Sequence, residues 1–289
     1  MRAAILMLSV SALFAGLTII AKALGTGFGG EPLHPFMISS GRFAFAFLGL
    51  MVGAAIFRPK IKKPNIGLHI GRSISGWLGV TLLFAAVARM PVSDATAISF
   101  LNPAFGMVFA IPLLGEKIGK FRWIAVGIAL IGALVLLRPG IGVLQPAAII
   151  AFCSAVATGL EIVLIKKLSG RESPFQILII NNAIGFLIAG TAASFVWTTP
   201  SPVQWMFLAT IGFVMIAAQT MFIFAMRAAD ASFAMPFMYA TLLFATLYDF
   251  WIFGVVPDAI SFAGAGIILS GVVFLAWREA LNQRKPKPQ

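Results

Sequence analysis

The sequence predicts an all-α membrane protein: ten transmembrane helices arranged as two inverted five-helix repeats. Three observations carry that expectation. Hydrophobic residues make up 60% of the 289-residue chain and charged residues only 10%, more apolar side chain than a water-soluble core can hide. The apolar residues collect in unbroken runs of about the 20 residues a helix needs to cross the hydrocarbon core, where a membrane β-barrel would show short alternating segments. Finally, the chain repeats itself. A shift of 139 positions lays 92–118 on 231–257 without a gap and pairs Ser93 with Ser232, Ala95 with Ala234, Phe105 with Phe244 and Gly115 with Gly254.

The ten spans fall at 2–24, 35–57, 71–89, 92–114, 120–138, 146–165, 175–197, 203–226, 231–255 and 259–277. The first resembles a signal peptide in having Arg2 ahead of an apolar stretch that ends in Ala21-Lys22-Ala23. Its length suits a span, however, and its Ser11-Ala12, Gly16-Leu17 and Ile19 recur as Ser154-Ala155, Gly159-Leu160 and Ile162 at an offset of 143. The second span opens on Pro35-Phe36 and is echoed by Pro174-Phe175 in the seventh. Thr81 and Ala86 of the third meet Thr220 and Ala225 of the eighth. The fourth, broken by Asn102-Pro103 and stopped by Gly115-Glu116-Lys117, is the partner of the ninth. Gly127-Ile128 and Gly132 of the fifth recur as Gly266-Ile267 and Gly271 of the tenth. The repeats are expected at 1–140 and 141–280, with a basic tail at 281–289.

Five spans per repeat is an odd number, so the second repeat enters the membrane from the side opposite to the first. Inverted repeats of this kind are related by a pseudo-two-fold axis in the membrane plane and are the sequence signature of alternating access. Lys and Arg are retained on the cytoplasmic side during insertion. With the N-terminus cytosolic, seventeen of the 21 basic residues lie inside, Lys22, Arg89 and Arg138 lie outside, and Arg42 falls within the second span. Both termini are then expected in the cytosol, and the net charge of +12 faces lipid headgroups, not nucleic acid. Arg72 is counted here among the cytosolic residues, and His34 and His69 lie at membrane edges.

These residues resemble the drug/metabolite transporter superfamily, EamA type. The resemblance rests on the Ser-Ala and Gly-Leu of the first helix, Arg42-Phe43 in the second, Asn102-Pro103 and Leu114-Gly115-Glu116-Lys117 around the fourth, and Tyr239-Ala240-Thr241 leading to Phe253-Gly254 and Val256-Pro257-Asp258. It implies a bacterial inner-membrane carrier of small metabolites, with efflux of amino-acid-like compounds slightly ahead of import. The family often has a second Glu after the Phe-Gly, where this chain has Val255. Glu116 is accordingly read as structural, capping or pairing with Lys117 and Lys120.

Charges inside a span are expensive and mark function by default. Arg42, Glu161 and Asp249 are the three. Arg42 and Asp249 lie about seven residues from the outer membrane edge, roughly 10 Å deep at 1.5 Å per residue. They fit either an ion pair that is structural or gating, or a substrate carboxylate or phosphate received by the Arg42 fork. Glu161 shares one helical face with Ser154 and Thr158, and a polar stripe of this kind faces protein or a water-filled cavity. Glu161 is therefore the expected proton-coupling residue, against the alternative that it reaches toward Lys166 or Lys167, which lie off its face. Thr96, Ser99, Asn102, Asn181, Gln219, Tyr239 and Trp77 complete the expected substrate-binding wall, with Phe100 and Trp251 as further rings. The fifth and tenth spans carry almost no polar side chain, so the cavity should exclude them. Their glycines serve close helix packing or a homodimer contact.

His34 and His69 at membrane edges, a lone Cys153, and the lack of a carboxylate pair or metal-ligand spacing argue against an enzyme and call for no cofactor or metal. The expected function is a secondary transporter of a small polar or zwitterionic metabolite. Uptake of a vitamin or nucleoside-like compound fits the same residues, and a channel or lipid flippase is the rival of another class.

Overall fold

The chain folds as a bundle of helices whose starts are written into the sequence by capping residues. His34, Ser173 and Ser201 each accept a hydrogen bond from the first turn of the helix that follows, and each is followed at once by a proline, whose missing N–H is no loss at that position. The computed structural model describes residues 2–59, 61, 63–87, 98–137, 146–253 and 258–283. The helices are α1 (Arg2–Gly25), α2 (Pro35–Phe57), α3 (Ile66–Val87), α4 (Asn102–Leu114), α5 (Lys120–Leu137), α6 (Ala147–Ser169), α7 (Pro174–Ser194), α8 (Pro202–Ala228), α9 (Ala231–Ala234), α10 (Ala240–Phe253) and α11 (Ala259–Gln283). A 3₁₀ turn, Met235–Tyr239, joins α9 to α10. Among the described residues no strand occurs, and six stretches are long and apolar enough to cross a membrane. α4 ends on Gly115, whose φ of 70° is the left-handed cap that glycine adopts without strain.

Two boundaries differ from expectation. α3 begins at Ile66 rather than 71, which draws His69 out of the supposed loop and sets Arg72, counted as cytosolic at the very start of its span, more than one turn inside the helix. The ninth span is not one helix: Pro236 has no N–H to continue the ladder, and the chain passes through the 3₁₀ turn before resuming at Ala240. The fourth span is interrupted at the matching place, a turn at Phe100 and Leu101 ahead of α4. Phe100 and Tyr239 are repeat partners at the 139 offset. Their rings face each other with centroids 6.0 Å apart. The expected division between repeats, at 140, falls within 138–145, outside the described residues.

Inverted symmetry is visible in which helices touch. The closest partnerships are α5 with α11, α3 with α6, α1 with α8, and α2 with α7. Exchange of the repeats turns α3–α6 into α8–α1 and leaves α5–α11 and α2–α7 as they are. Single residues obey the same exchange. Phe47 of α2 stacks on Phe186 of α7, its repeat partner, at 6.4 Å. Phe105–Phe109 and Phe244–Tyr248, equivalent pairs, have the same 6.4 Å spacing.

The fifth and tenth spans show the relation most tightly. A Cβ at Gly132 would sit 2.6 Å from the backbone nitrogen of Ile268, and one at Gly271 would sit 3.2 Å from that of Ala129. Ile268 is the repeat partner of Ala129, so these are one contact made twice. The two glycines let the helix backbones meet directly and are used within the chain, as helix packing in lipid favours. A methyl group at Gly127 or Gly266, by contrast, would meet nothing within 4 Å.

Candidate functional site

α3 and α6 pack through a seam of small and polar residues. Ser154 donates to the carbonyl of Gly79 (2.6 Å), Thr158 donates to the Ser154 carbonyl one turn back (3.0 Å), and the Glu161 carboxyl lies against Gly76, where a Cβ would come within 2.6–2.8 Å of it. The expected polar stripe of α6 thus faces protein. Lys166, the rival partner of Glu161, instead donates to the carbonyls of Met226 and Ala229.

One turn before Gly76, on the same face of α3, stands Arg72. It is fully buried, 0% exposed. Its Nη1 reaches only the Ile177 carbonyl of α7, at 3.5 Å, while Nε and Nη2 have no hydrogen-bond partner. Ser73 beside it donates to Asn181 Oδ1 (3.1 Å). From α2, the Arg42 guanidinium lies 4.0 Å over the Phe43 ring, which packs on Gly185 of α7, and its Nε is also buried without a partner. Ile177, Asn181 and Gly185 follow at four-residue spacing and so mark one face of α7. Along that face Arg72, Ser73 and Arg42 converge, and Glu161 interacts electrostatically with both arginines.

The placing of Arg72 corrects the count of cytosolic basic residues. It was hidden in the sequence because it follows Arg58, Lys60, Lys62 and Lys63 by a few positions and reads as the end of their loop. Its signal was its spacing, one turn from Gly76 on a helix whose partner carries Glu161.

Of the other expected wall residues, Asn102 Oδ1, Gln219 Oε1 and Tyr239 OH are buried without hydrogen-bond partners, Ser99 is buried, and Trp77 is half-buried on α3. Thr96 and the side chain of Asp249 lie outside what the structure describes, so the Arg42–Asp249 pair does too. Trp251 is 70% exposed, on the outside of the bundle. The guess that it faces solute is therefore corrected.

Two recesses of about 500 Å³ flank the charged cluster along α7. One, at the end carrying Arg171 and Arg227, is lined by Ser169, Glu172 and Gln176 among others. The second, at the opposite end, lies between α2 and α7 and includes Ser40, Phe186, Thr191, Trp197 and Trp205. Gln176 thus edges the first recess, 177–185 carries the cluster, and 186–194 opens on the second.

The linker between α6 and α7 closes the first recess with Glu172. This carboxylate accepts from the Asn65 backbone N–H (2.8 Å), the Gln176 amide (2.6 Å) and the His69 ring (2.8 Å). Burial opposes its charge, but these donors outweigh burial and hold the Glu172 carboxyl below its usual range. Arg227 donates to the carbonyls of Ser169 and Glu172. His69 is therefore a buried partner of this carboxylate, at the end of the bundle where the α6–α7 linker lies.

Glu116 plays the expected structural part with a different partner. Its carboxylate accepts from the backbone N–H groups of Ala231 (2.7 Å) and Ser232 (3.0 Å) and from the Ser232 hydroxyl (2.6 Å), so the end of the fourth span caps the start of the ninth. Arg122 joins Asp230 (3.0 Å) and Ser232 (2.6 Å) at the same place.

Comparison with known proteins gives three kinds of match. The sequence profile of the EamA-like transporter family matches residues 1–138 and 145–277. An S-adenosylmethionine uptake transporter of Rickettsia conorii is 26% identical over 92% of this chain and 90% of its own. A riboflavin transporter of Rhizobium johnstonii is 31% identical over 75% and 72%, and a pseudopaline exporter of Pseudomonas aeruginosa 24% over 75% and 77%. A solved crystal structure, 18% identical, aligns with a TM-score of 0.81 over 96% of this chain and 98% of its own and shows the same fold.

Proposed function

The chain belongs to the EamA-like transporter family, and from that premise we propose that it is a secondary active carrier of a small polar or zwitterionic metabolite, working by alternating access. That it is a transporter of small molecules and not an enzyme follows from the family and its relatives. The observation that supports the carrier reading is the buried charged cluster set between two recesses at opposite ends of the bundle. A channel needs a continuous open path, whereas Arg72, on the stretch between the two recesses, is 0% exposed. Both termini lie in the cytosol of a bacterial inner membrane in this reading, which leaves the basic end of the bundle facing inward.

Glu161 is the coupling residue in the proposal. It supplies one negative charge against two guanidinium groups, so a proton taken up there changes the net charge of the site, and the empty and loaded sites then respond differently to a proton gradient. The similarity to uptake transporters extends over 92% of the chain, against 75% for the exporter. That favours import, in place of the efflux that residue patterns alone put slightly ahead.

Reconstituted protein should accumulate S-adenosylmethionine or riboflavin in liposomes, saturably and faster when a pH gradient is imposed. Glu161→Gln should exchange solute across the liposome but build no gradient from the proton gradient. If the variant concentrates solute as the wild type does, the coupling role is lost. Unsaturable flux in the wild type would replace the carrier with a channel.

A further inference from the structure

Resting on the carrier reading, we infer that the transported metabolite bears a carboxylate, and that this carboxylate docks side-on against Arg72, with Arg42 beside it and Glu161 as the fixed counter-charge. Four observations support it.

The first is geometric. The two nitrogens of Arg72 that lack partners are Nε and Nη2, and these form one edge of the planar guanidinium, with two parallel N–H groups at the spacing of two carboxylate oxygens. A cation that is 0% exposed with this edge unused is an incomplete hydrogen-bonding site, because buried polar groups are otherwise paired.

The second is charge. Among the described residues, the cluster holds two guanidinium groups and one carboxylate. Among these three groups one positive charge is left over in a low-dielectric interior. A carboxylate group brings one negative charge to it, whereas a phosphate monoester, with nearly two negative charges, overshoots.

The third is the broken symmetry. Repeat exchange places Asn181 against Arg42, Ile211 against Arg72 and Thr18 against Glu161. The crossing of α2 with α8, where the Arg42 carbonyl lies 3.1 Å from a Cβ position at Gly212, corresponds to the crossing of α7 with α3, where Asn181 meets Ser73 at 3.1 Å. Each of the two equivalent crossings thus carries one arginine and, at the place of the other, an uncharged side chain: Ile211 stands for Arg72 and Asn181 for Arg42. The packing at either place is built with or without the charge, which leaves a ligand as the reason for the two guanidinium groups.

The fourth is position. The cluster sits on the stretch of α7 between the two recesses, within reach of either end as the bundle rocks.

The test uses the purified full chain and matched probes: S-adenosylmethionine and its decarboxylated analogue, the proteinogenic amino acids and their amides, riboflavin, and inorganic phosphate. Thermal stabilisation reports binding. At least one acid should stabilise the wild type about tenfold or more tightly than its carboxylate-free partner. Arg72→Gln should abolish that preference, and Arg72→Lys, which keeps the charge but loses the fork, should leave a fraction of it. Equal binding of acid and amide, stabilisation by riboflavin or phosphate but by no acid, or no stabilisation by any acid overturns the inference. The wild-type acid and amide comparison decides the matter even if Arg72→Gln fails to fold. Saturable transport of riboflavin without transport of acids would leave the carrier standing and remove only the carboxylate. Saturable transport of no solute at all would remove the carrier itself.

Discussion

Gly76 lies directly against the Glu161 carboxyl. An alanine there places its methyl within 2.6–2.8 Å of the flexible end of Glu161 and not of any backbone, so the carboxylate swings aside while the helices stay. Gly76→Ala is expected to keep wild-type melting behaviour within about 0.5 kcal/mol and to lose proton-driven accumulation. A large fall in stability instead would show that the position matters for packing. Glu172, outside the spans, is the opposite case. Its folded carboxyl titrates below the ordinary value of 4.5, so its contribution is complete above about that pH and is lost as pH falls through the folded value. Glu172→Gln should cost about 1–2 kcal/mol at neutral pH, and the difference from wild type should vanish in melts run on the acid side of the window. At this scale Glu161 was legible, because Ser154 and Thr158 announce its face from one helix alone. Arg72 was not, because its meaning depends on Ile177 and Glu161, which come from two other helices. The same holds for Glu116: its position at the end of a span was readable, but its partner, the first turn of α9, is 115 residues away.

At the scale of the element, glycine separates two kinds of helix surface. A Cβ at Gly132 of α5 would come 2.6 Å from the backbone of α11, while one at Gly127, on the same helix, would meet nothing within 4 Å. Gly132→Ala must push the helices apart and should destabilise by about 1–3 kcal/mol. Gly127→Ala removes only backbone freedom and should stabilise by about 0.5–1 kcal/mol. Thermal unfolding in detergent compares the two directly. If Gly127→Ala also destabilises or abolishes association, that face is an interface between copies, as the repeated glycines would also allow. Eight spans were readable from apolar length alone, since lipid demands about 20 residues whatever the neighbours. The breaks in the fourth and ninth were not readable as such. Pro103 and Pro236 are visible, but proline is tolerated inside membrane helices when neighbours satisfy the freed groups, and only packing shows that the chain turns before Asn102 and through Met235–Tyr239.

For the whole molecule, the offset of 139 carried the most information. It makes Gly132 the repeat partner of Gly271 and Phe100 that of Tyr239, and the structure gives the two glycines equivalent contacts between α5 and α11 and sets the two rings face to face, because a duplicated sequence folds into duplicated contacts. It did not foretell where the two halves differ. In the alternating-access cycle proposed above, contacts that repeat exchange carries into different ones, such as α2–α8 and α3–α7, would trade places when the halves trade conformations. The α5–α11 contact is carried onto itself. A contact with that property has no reason to change during a cycle. With Cys153 replaced by serine, a short cross-link between cysteines at 129 and 268 should therefore leave transport running near the uncross-linked rate, whereas one between cysteines at 73 and 181 should stop it. Arrest by the first cross-link would require the rocking to pass through this pair. In mechanical terms the proposal makes the glycine-paired helices the axle of the machine: they would bear load in both positions and do no work in either, and a chain that lost them would keep its binding groups with nothing to turn them on.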